Sequence, residues 1–147
     1  MQFSFVSTWF LWAFASAVFA ALTAIFAKIG IENIDSDFAT FIRTLVIIFS
    51  LAAFLTYAHK WQNPAALTPK NLLFLILSGL ASGASWLAYF KALQIGRVAQ
   101  VAPVDKLSVV LATLFAVIFL GERPTSREWG GIGLIAAGVL LLAWKGK

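Results

Sequence analysis

The sequence predicts an all-α membrane protein, a bundle of five transmembrane helices. Of its 147 residues, 61% are hydrophobic and 12% are charged, whereas an ordinary soluble domain is about half apolar and about a quarter charged. The hydrophobic residues also gather in five runs, each long enough to cross a bilayer core about 30 Å thick. These runs form one predicted domain over residues 1–147 and cover about 8–28, 38–58, 71–93, 98–120 and 128–144.

The first two runs have polar or aromatic residues at their ends. Trp9 and Trp12 begin the first run and Lys28 ends it, and both residue types anchor helix ends at the membrane interface. The second run follows a polar connector, residues 32–37, of the kind that caps and separates helices. Arg43 lies about 7.5 Å inside this run, and its long side chain can reach the interface from there. Arg43 is therefore either an interfacial anchor or an inward-facing residue that binds an anionic group of a substrate or pairs with Asp105.

The third run combines hydroxyl, aromatic and small side chains on one face. Their spacing of three or four residues places them on the same side of a helix. The hydroxyl and aromatic side chains are candidates for substrate binding in a cavity. Serines and glycines at this spacing also let two helices approach closely, so packing alone is the alternative. The binding candidates are Ser82, Ser85, Trp86 and Tyr89, and the packing or dimer candidates are Gly79 and Gly83.

The fourth run contains the strongest functional signal. A helix that began after Asp105 and Lys106 would have only residues 107–120, too few to span a bilayer. A start at Val98 places Asp105 about 10 Å inside, where a lone charge costs about a few kcal/mol unless it pairs or meets water. Alternatively, Asp105 complements the positive end of a helix opened by Pro103, while Lys106 reaches the interface. The candidates for substrate binding or coupling here are Asp105, Lys106 and Ser108.

The fifth run is rich in glycine and ends near Trp144. Small residues at close spacing permit tight contact between helices or between subunits. The candidates for such contacts are Gly130, Gly131, Gly133 and Gly138.

Composition also argues against several functions. The net charge is +5, but the basic residues sit singly at the ends of apolar runs, so no nucleic-acid partner is predicted. Cysteine is absent, and the single histidine, His59, has no acidic residues at metal-ligand or acid–base spacing. We therefore predict no metal site, no cofactor and no enzymatic activity. The expected partners are membrane lipid and a small-molecule substrate.

The distribution of lysine and arginine predicts the orientation. Five spans place the termini on opposite sides, and the side richer in Lys and Arg is usually cytoplasmic. Lys and Arg residues in the loops and at the helix ends number five on the side of the C-terminus and four on the other side. Adding Arg43 and Lys106, which lie inside helices near the C-terminal side, gives seven against four and favours a cytoplasmic C-terminus. The richer side has Lys28, Arg43, Lys91, Arg97, Lys106, Lys145 and Lys147, and the other has Lys60, Lys70, Arg123 and Arg127.

Five short stretches occur in a characteristic order: 24–28, 41–43, 85–93, 101–108, and 120–123 before the glycine-rich last run. Together they make the whole chain resemble one five-helix repeat of the EamA-like drug/metabolite transporter superfamily. The run Pro-Val-Asp-Lys-Leu-Ser at 103–108 is similar to that of single-repeat bacterial and archaeal members. Typical members have two such repeats, inserted in opposite orientations around a central cavity.

The resemblance implies a transporter of small polar metabolites such as amino acids in a prokaryotic inner membrane. One repeat supplies half a cavity, so it implies alternating access by a homodimer, antiparallel as in the related small multidrug resistance proteins, or by a pair with another single-repeat protein. The alternative is a non-transporting membrane subunit. The first-helix glutamate of those multidrug pumps has no counterpart here. If transport is coupled to protons, Asp105 is the carboxylate expected to carry them.

Overall fold

The computed structural model describes residues 8–144, and this part of the chain consists of helices and connectors without a strand. Five spans of 18 to 27 residues are long and apolar enough to cross a membrane, with lengths of about 27 to 40 Å. The predicted all-α class with five membrane helices is confirmed. The elements are α1 (Thr8–Gly30), α2 (Ser36–Tyr57), a 3-10 turn (Pro64–Ala66), α3 (Pro69–Ile95), α4 (Val98–Asp105), α5 (Leu107–Phe115), a π-helical stretch (Ala116–Leu120) and α6 (Ser126–Ala143).

Polar caps start the helices slightly before the hydrophobic runs. The Asp35 carboxylate accepts hydrogen bonds from the backbone N–H groups of Asp37 (2.9 Å) and Phe38 (3.0 Å), so α2 begins at Ser36. At α6, Thr125 and Glu128 form a reciprocal capping box. Such caps satisfy N–H groups that have no partner within the helix, which is why the helix begins before its first apolar residue.

The end of α2 is also closed by backbone hydrogen bonds. His59 adopts a left-handed conformation with φ of 51°, its N–H donates to the Thr56 carbonyl, and the Lys60 N–H donates to the Leu55 carbonyl. This pattern is a Schellman motif, in which glycine is the usual left-handed residue. Histidine therefore occupies a position where its side chain strains the backbone.

The fourth span, Val98–Leu120, is interrupted at Lys106. Pro103 lies inside α4 and does not open a helix, and proline offers no N–H for the helical ladder. The Lys106 N–H donates to the Pro103 carbonyl (3.0 Å), and the Val109 N–H donates to the Lys106 carbonyl (3.0 Å). These bonds span three residues instead of four, so the helix tightens at the interruption.

The chain divides into two compact units, one ending at Ile95 and the other beginning at Gly96. In the first unit α3 packs against α1 and α2, and in the second α6 packs against α4 and α5. The buried side chains of the first unit gather where α1 and α3 end and α2 begins, which makes this end the packed one. They are Ala24, Ala27, Ile31, Ser36, Ala39, Thr40, Phe90 and Leu93.

Candidate functional site

Arg43 is the centre of an aromatic cluster near the packed end of the first unit. Its guanidinium carbon, Cζ, lies 4.3 Å from the centroid of the Trp86 ring and 5.4 Å from that of Phe90. Tyr89 is a further neighbour of the same guanidinium. Trp86, Tyr89 and Phe90 recur at spacings of three and four on α3, so one helix face presents all three to α2. The cluster brings together three of the predicted binding residues, Arg43, Trp86 and Tyr89.

The ring contacts hold the guanidinium well inside the membrane span. Arg43 lies seven residues from the start of α2, and Trp86 nine residues from the end of α3, which are depths of about 10 and 13 Å along the helices. Cations over aromatic faces are stabilised by about 0.5–2 kcal/mol. This stabilisation favours the inward orientation of Arg43 over extension of its side chain to the interface.

One guanidinium nitrogen lacks a partner. Arg43 Nη1 is buried, and no acceptor among residues 8–144 lies within hydrogen-bonding distance of it. Leaving a buried donor unsatisfied costs about 1–3 kcal/mol, and more when the donor is charged. An acceptor brought by another molecule would remove this cost. The nitrogen is therefore a binding point for a carboxylate or another oxyanion, which an arginine can hold by two parallel hydrogen bonds.

A cavity of about 470 Å³ adjoins Arg43 between α1 and α2, with α3 behind it. Its volume falls within the range of small-molecule sites, about 300–1,000 Å³. Arg43 and Thr23 provide the polar side chains among the described residues that line it, and the other lining side chains are apolar. The larger apolar ones are Phe26, Ile31, Ile34, Ile42, Val46 and Phe90.

Two hydrogen bonds fix the end of this cavity. Lys28 Nζ donates to the Leu93 carbonyl in the last turn of α3 (2.5 Å), and Gln94 Nε2 donates to the Ile34 carbonyl in the α1–α2 connector (2.9 Å). They join the end of α1 and the connector to α3. The start of α2, which carries Arg43, is thus held against the helix that carries its aromatic partners.

Other predicted residues of the first unit lie outside this cluster. The side chains of Ser82 and Ser85 are exposed and do not line the cavity, and their role in substrate binding stays a prediction. A Cβ built on Gly79 or Gly83 would meet open space. No other helix of the first unit therefore packs closely on these two glycines, and contact with another subunit stays a prediction for them.

Asp105 and Lys106 form an ion pair in the second unit, with 3.1 Å between Lys106 Nζ and Asp105 Oδ2. The side chains are 34% and 54% exposed, respectively. Pairing lowers the cost of placing either charge within a membrane span. Ser108 is exposed nearby. Because Arg43 belongs to the other unit, its predicted pairing with Asp105 stays a prediction, as does substrate binding by the pair and Ser108.

The second unit also contains the four glycines predicted for helix or subunit contacts. A Cβ built on any of them would meet open space, so they are free of close contact with the described helices; they are Gly130, Gly131, Gly133 and Gly138. Among residues 8–144, no three His, Asp or Glu side chains gather as a metal ion would require.

Sequence reasoning missed Phe90 and the apolar cavity wall. Phenylalanine is abundant in the chain, with 14 copies, so Phe90 does not stand out by type. Its position four residues after Trp86 was the available signal, because that spacing places both rings on one helix face. The cavity-wall residues of α1 and α2 carry no such signal. Every face of these helices is apolar enough to contact lipid, so a single sequence does not reveal which faces contact another helix.

The family comparison covers nearly the whole chain. The EamA-like transporter family matches residues 7–144. An "Uncharacterized transporter in cobO 3'region" from Sinorhizobium sp is 55% identical over 136 residues, which are 92% of this chain and 96% of that protein. No solved structure matches the chain.

Two further relatives differ in how much of them the chain covers. Protein RarD of Salmonella typhi is 26% identical over 95% of this chain, but the match spans 45% of RarD. The probable 4-amino-4-deoxy-L-arabinose-phosphoundecaprenol flippase subunit ArnE of Yersinia pestis is 32% identical over 59% of this chain and 77% of ArnE.

The five apolar spans and the family match indicate a multi-pass membrane protein. The chain belongs to the EamA-like transporter family.

Proposed function

We propose that this transporter carries small polar metabolites such as amino acids, and that Arg43 binds their anionic group. The observation that carries the proposal is the buried Nη1 of Arg43, which has no acceptor among the described residues. A positive charge held on aromatic rings at the wall of a cavity is suited to an anionic ligand because the charge needs a partner there. The expected location is a prokaryotic inner membrane with the C-terminus in the cytoplasm.

We further propose that two repeats act together by alternating access. Inverted-repeat transporters bind substrate where their repeats meet and move one repeat against the other. The chain spans slightly less than half of RarD, so a second copy would supply a comparable length. Exposed glycines on α3 and α6 offer surfaces where another helix can approach closely. An antiparallel homodimer satisfies the inverted arrangement only when the chain inserts in both orientations. A chain fixed in the single orientation proposed above would instead pair with another single-repeat protein of opposite orientation.

The site assignment is tested by uptake into proteoliposomes that contain the purified chain. Solutes from a metabolite panel are measured for saturable flux, first with the wild type and then with the Arg43→Ala and Asp105→Asn substitutions, singly and together. We expect the double variant to lose at least about tenfold in flux at low substrate concentration, which is a loss of about 1.4 kcal/mol or more. Arg127→Ala at the exposed start of α6 is the matched control. Flux unchanged in the double variant would refute the assignment.

A second candidate function is that of a membrane subunit that needs a different partner. The name of the relative ArnE describes a flippase subunit, and this relation favours a heteromeric assembly as the alternative. It predicts that the chain alone gives no saturable flux, while a second single-repeat protein co-purifies with it and restores flux. Saturable flux by the chain alone would exclude this alternative.

A further inference from the structure

We infer that the cavity between α1 and α2 selects an apolar monoanion over a zwitterion of the same shape. This inference rests on one part of the proposed function, the binding of an anionic group by Arg43, and it replaces the amino acids named there with carboxylates that carry no ammonium. Among the described residues that line the cavity, Arg43 provides one positive charge and no side chain provides a negative one. A ligand with a single negative charge neutralises the site, whereas a zwitterion brings an ammonium that has no charged partner there.

The hydrogen-bonding groups of the cavity point to the same class. Thr23 is the second polar side chain of the lining, and its hydroxyl donates to the Phe19 carbonyl at 2.8 Å. Its oxygen remains the side-chain acceptor available to a ligand, while an ammonium has three N–H donors to satisfy. Arg43 has donors alone, and its Nη1 lacks an acceptor among residues 8–144. The site can therefore complete the bonding of an oxyanion and leaves an ammonium largely unsatisfied.

The walls of the cavity indicate the chemistry of the part of the ligand that lies beyond its anionic group. Phe26, Ile42 and Val46 line the cavity together with Phe90, so the body of the ligand meets hydrocarbon on its sides. Transfer of apolar area from water to such walls is favourable. A ligand with a carboxylate at one end and an aryl or branched alkyl body at the other matches both the charge and the walls.

A phospholipid also combines an anionic group with apolar chains. Its phosphate belongs to the headgroup layer, outside the hydrocarbon core, whereas the Arg43 guanidinium lies against Trp86. Trp86 is about 13 Å along α3 from its end, which is about 8 Å inside a 30 Å core centred on this 40 Å helix. This depth favours a small soluble carboxylate that enters the cavity as a whole.

The test is equilibrium binding of three probes that share a phenyl ring and a short chain. 3-Phenylpropanoate carries the carboxylate alone, L-phenylalanine carries both charges, and 2-phenylethylamine carries the ammonium alone. Titration calorimetry on the purified full chain in a neutral detergent gives each affinity. We expect 3-phenylpropanoate to bind at least about tenfold more tightly than either other probe. Equal or tighter binding of L-phenylalanine, or no binding of 3-phenylpropanoate, would overturn the inference.

Variants test whether Arg43 is responsible for the preference. Arg43→Gln should weaken 3-phenylpropanoate binding at least about tenfold and Arg43→Lys by less, since lysine keeps the charge but not the bidentate geometry. Arg127→Gln, the same change at an exposed arginine outside the cavity, should bind as the wild type does. Wild-type affinity in Arg43→Gln would overturn the assignment. The comparison of probes on the wild-type chain remains decisive if Arg43→Gln does not fold.

A comparison of lipids distinguishes a soluble carboxylate from an anionic phospholipid as the ligand of the cavity. The titration is repeated in nanodiscs of dioleoylphosphatidylcholine with and without dioleoylphosphatidylglycerol. Unchanged affinity for 3-phenylpropanoate supports a soluble ligand. Loss of its binding in the anionic discs would overturn the inference and would indicate that an anionic phospholipid occupies the cavity. Binding is measured without flux, so anion binding without transport would contradict only the proposed function. Saturable flux of amino acids without preferential anion binding would contradict only this inference.

Discussion

At the scale of single residues, Arg43 shows how a membrane helix can carry a charge at depth. The Trp86 and Phe90 rings lie near its guanidinium, and Nη1 is buried without an acceptor among the described residues. The rings stabilise the charge without neutralising it, because a ring quadrupole attracts a cation but accepts no strong hydrogen bond. The bonding capacity of the guanidinium therefore stays available to a ligand.

Replacing Trp86 tests the role of the ring beneath Arg43. Trp86→Leu removes the cation–π contact, about 0.5–2 kcal/mol, so we expect the affinity for 3-phenylpropanoate to fall about 2- to 30-fold. Trp86→Phe keeps an aromatic face and should lose less. Titration of both variants measures the difference, and equal losses would mean that side-chain volume matters here and the ring face does not.

His59 gives a second prediction at this scale. Its φ of 51° is costly for a residue with a Cβ, by about 1–2 kcal/mol, whereas glycine adopts it freely. We expect His59→Gly to raise the melting temperature of the detergent-solubilised chain by a few degrees, roughly in proportion to that strain. Asn33→Gly, at φ of 61°, should have a smaller effect because asparagine tolerates this conformation. A lower melting temperature for His59→Gly would contradict the strain argument.

At the scale of elements, the start of α2 controls where Arg43 lies. The Asp35 carboxylate accepts from two backbone N–H groups of the first turn. Loss of an N-cap costs about 0.5–2 kcal/mol, so Asp35→Ala should speed hydrogen exchange at Asp37 and Phe38. Asp35→Ser keeps a capping oxygen and should retain most of the protection. Exchange in Asp35→Ala as slow as in the wild type would show that the cap does not hold the turn.

Hydropathy predicted the existence of the spans better than their internal geometry. The five apolar runs were visible because lipid solvation requires them, and a start at Val98 followed from the length that the fourth span needs. The interruption at Lys106 was not predicted. One of the two interpretations of the sequence had Pro103 opening a helix, whereas it lies inside α4. The π-helical stretch before Gly121 was missed as well, since its apolar residues look like any other span.

The candidate site was predicted in part, for a related reason. Arg43 and Trp86 stand out by type within apolar runs, and the structure brings them together. The sequence offered equally good reasons for Ser82 and Ser85, whose side chains are exposed. Periodicity defines which residues share a face of α3, but it does not define which part of that face meets α2. That choice depends on packing between helices, which a single sequence does not specify.

At the scale of the whole molecule, orientation in the membrane is open to direct measurement. Lysine and arginine placement predicts a cytoplasmic C-terminus, although Lys145 and Lys147, which enter that count, lie outside the described residues. The chain contains no cysteine, so a single Gln62→Cys or Gly96→Cys substitution gives one label site. We expect an impermeant maleimide to label Gln62→Cys in intact cells and to leave Gly96→Cys unlabelled. Labelling of Gly96→Cys alone would show that the chain has the opposite orientation.

Labelling at both positions would indicate dual insertion. That outcome would contradict the fixed orientation predicted from charge, while an antiparallel homodimer requires both orientations. The result therefore decides between a homodimer of this kind and a pair with another single-repeat protein.

We propose that this EamA-family chain transports a small molecule as a pair of repeats. The most direct test is flux per chain in proteoliposomes as the purified wild type is diluted with lipid, with Arg43→Gln as the baseline. Because one repeat supplies half a cavity, we predict saturable flux per chain that falls toward this baseline once vesicles contain fewer than two chains on average. Flux per chain that is independent of dilution, or flux no greater than that of Arg43→Gln at every dilution, would contradict the claim.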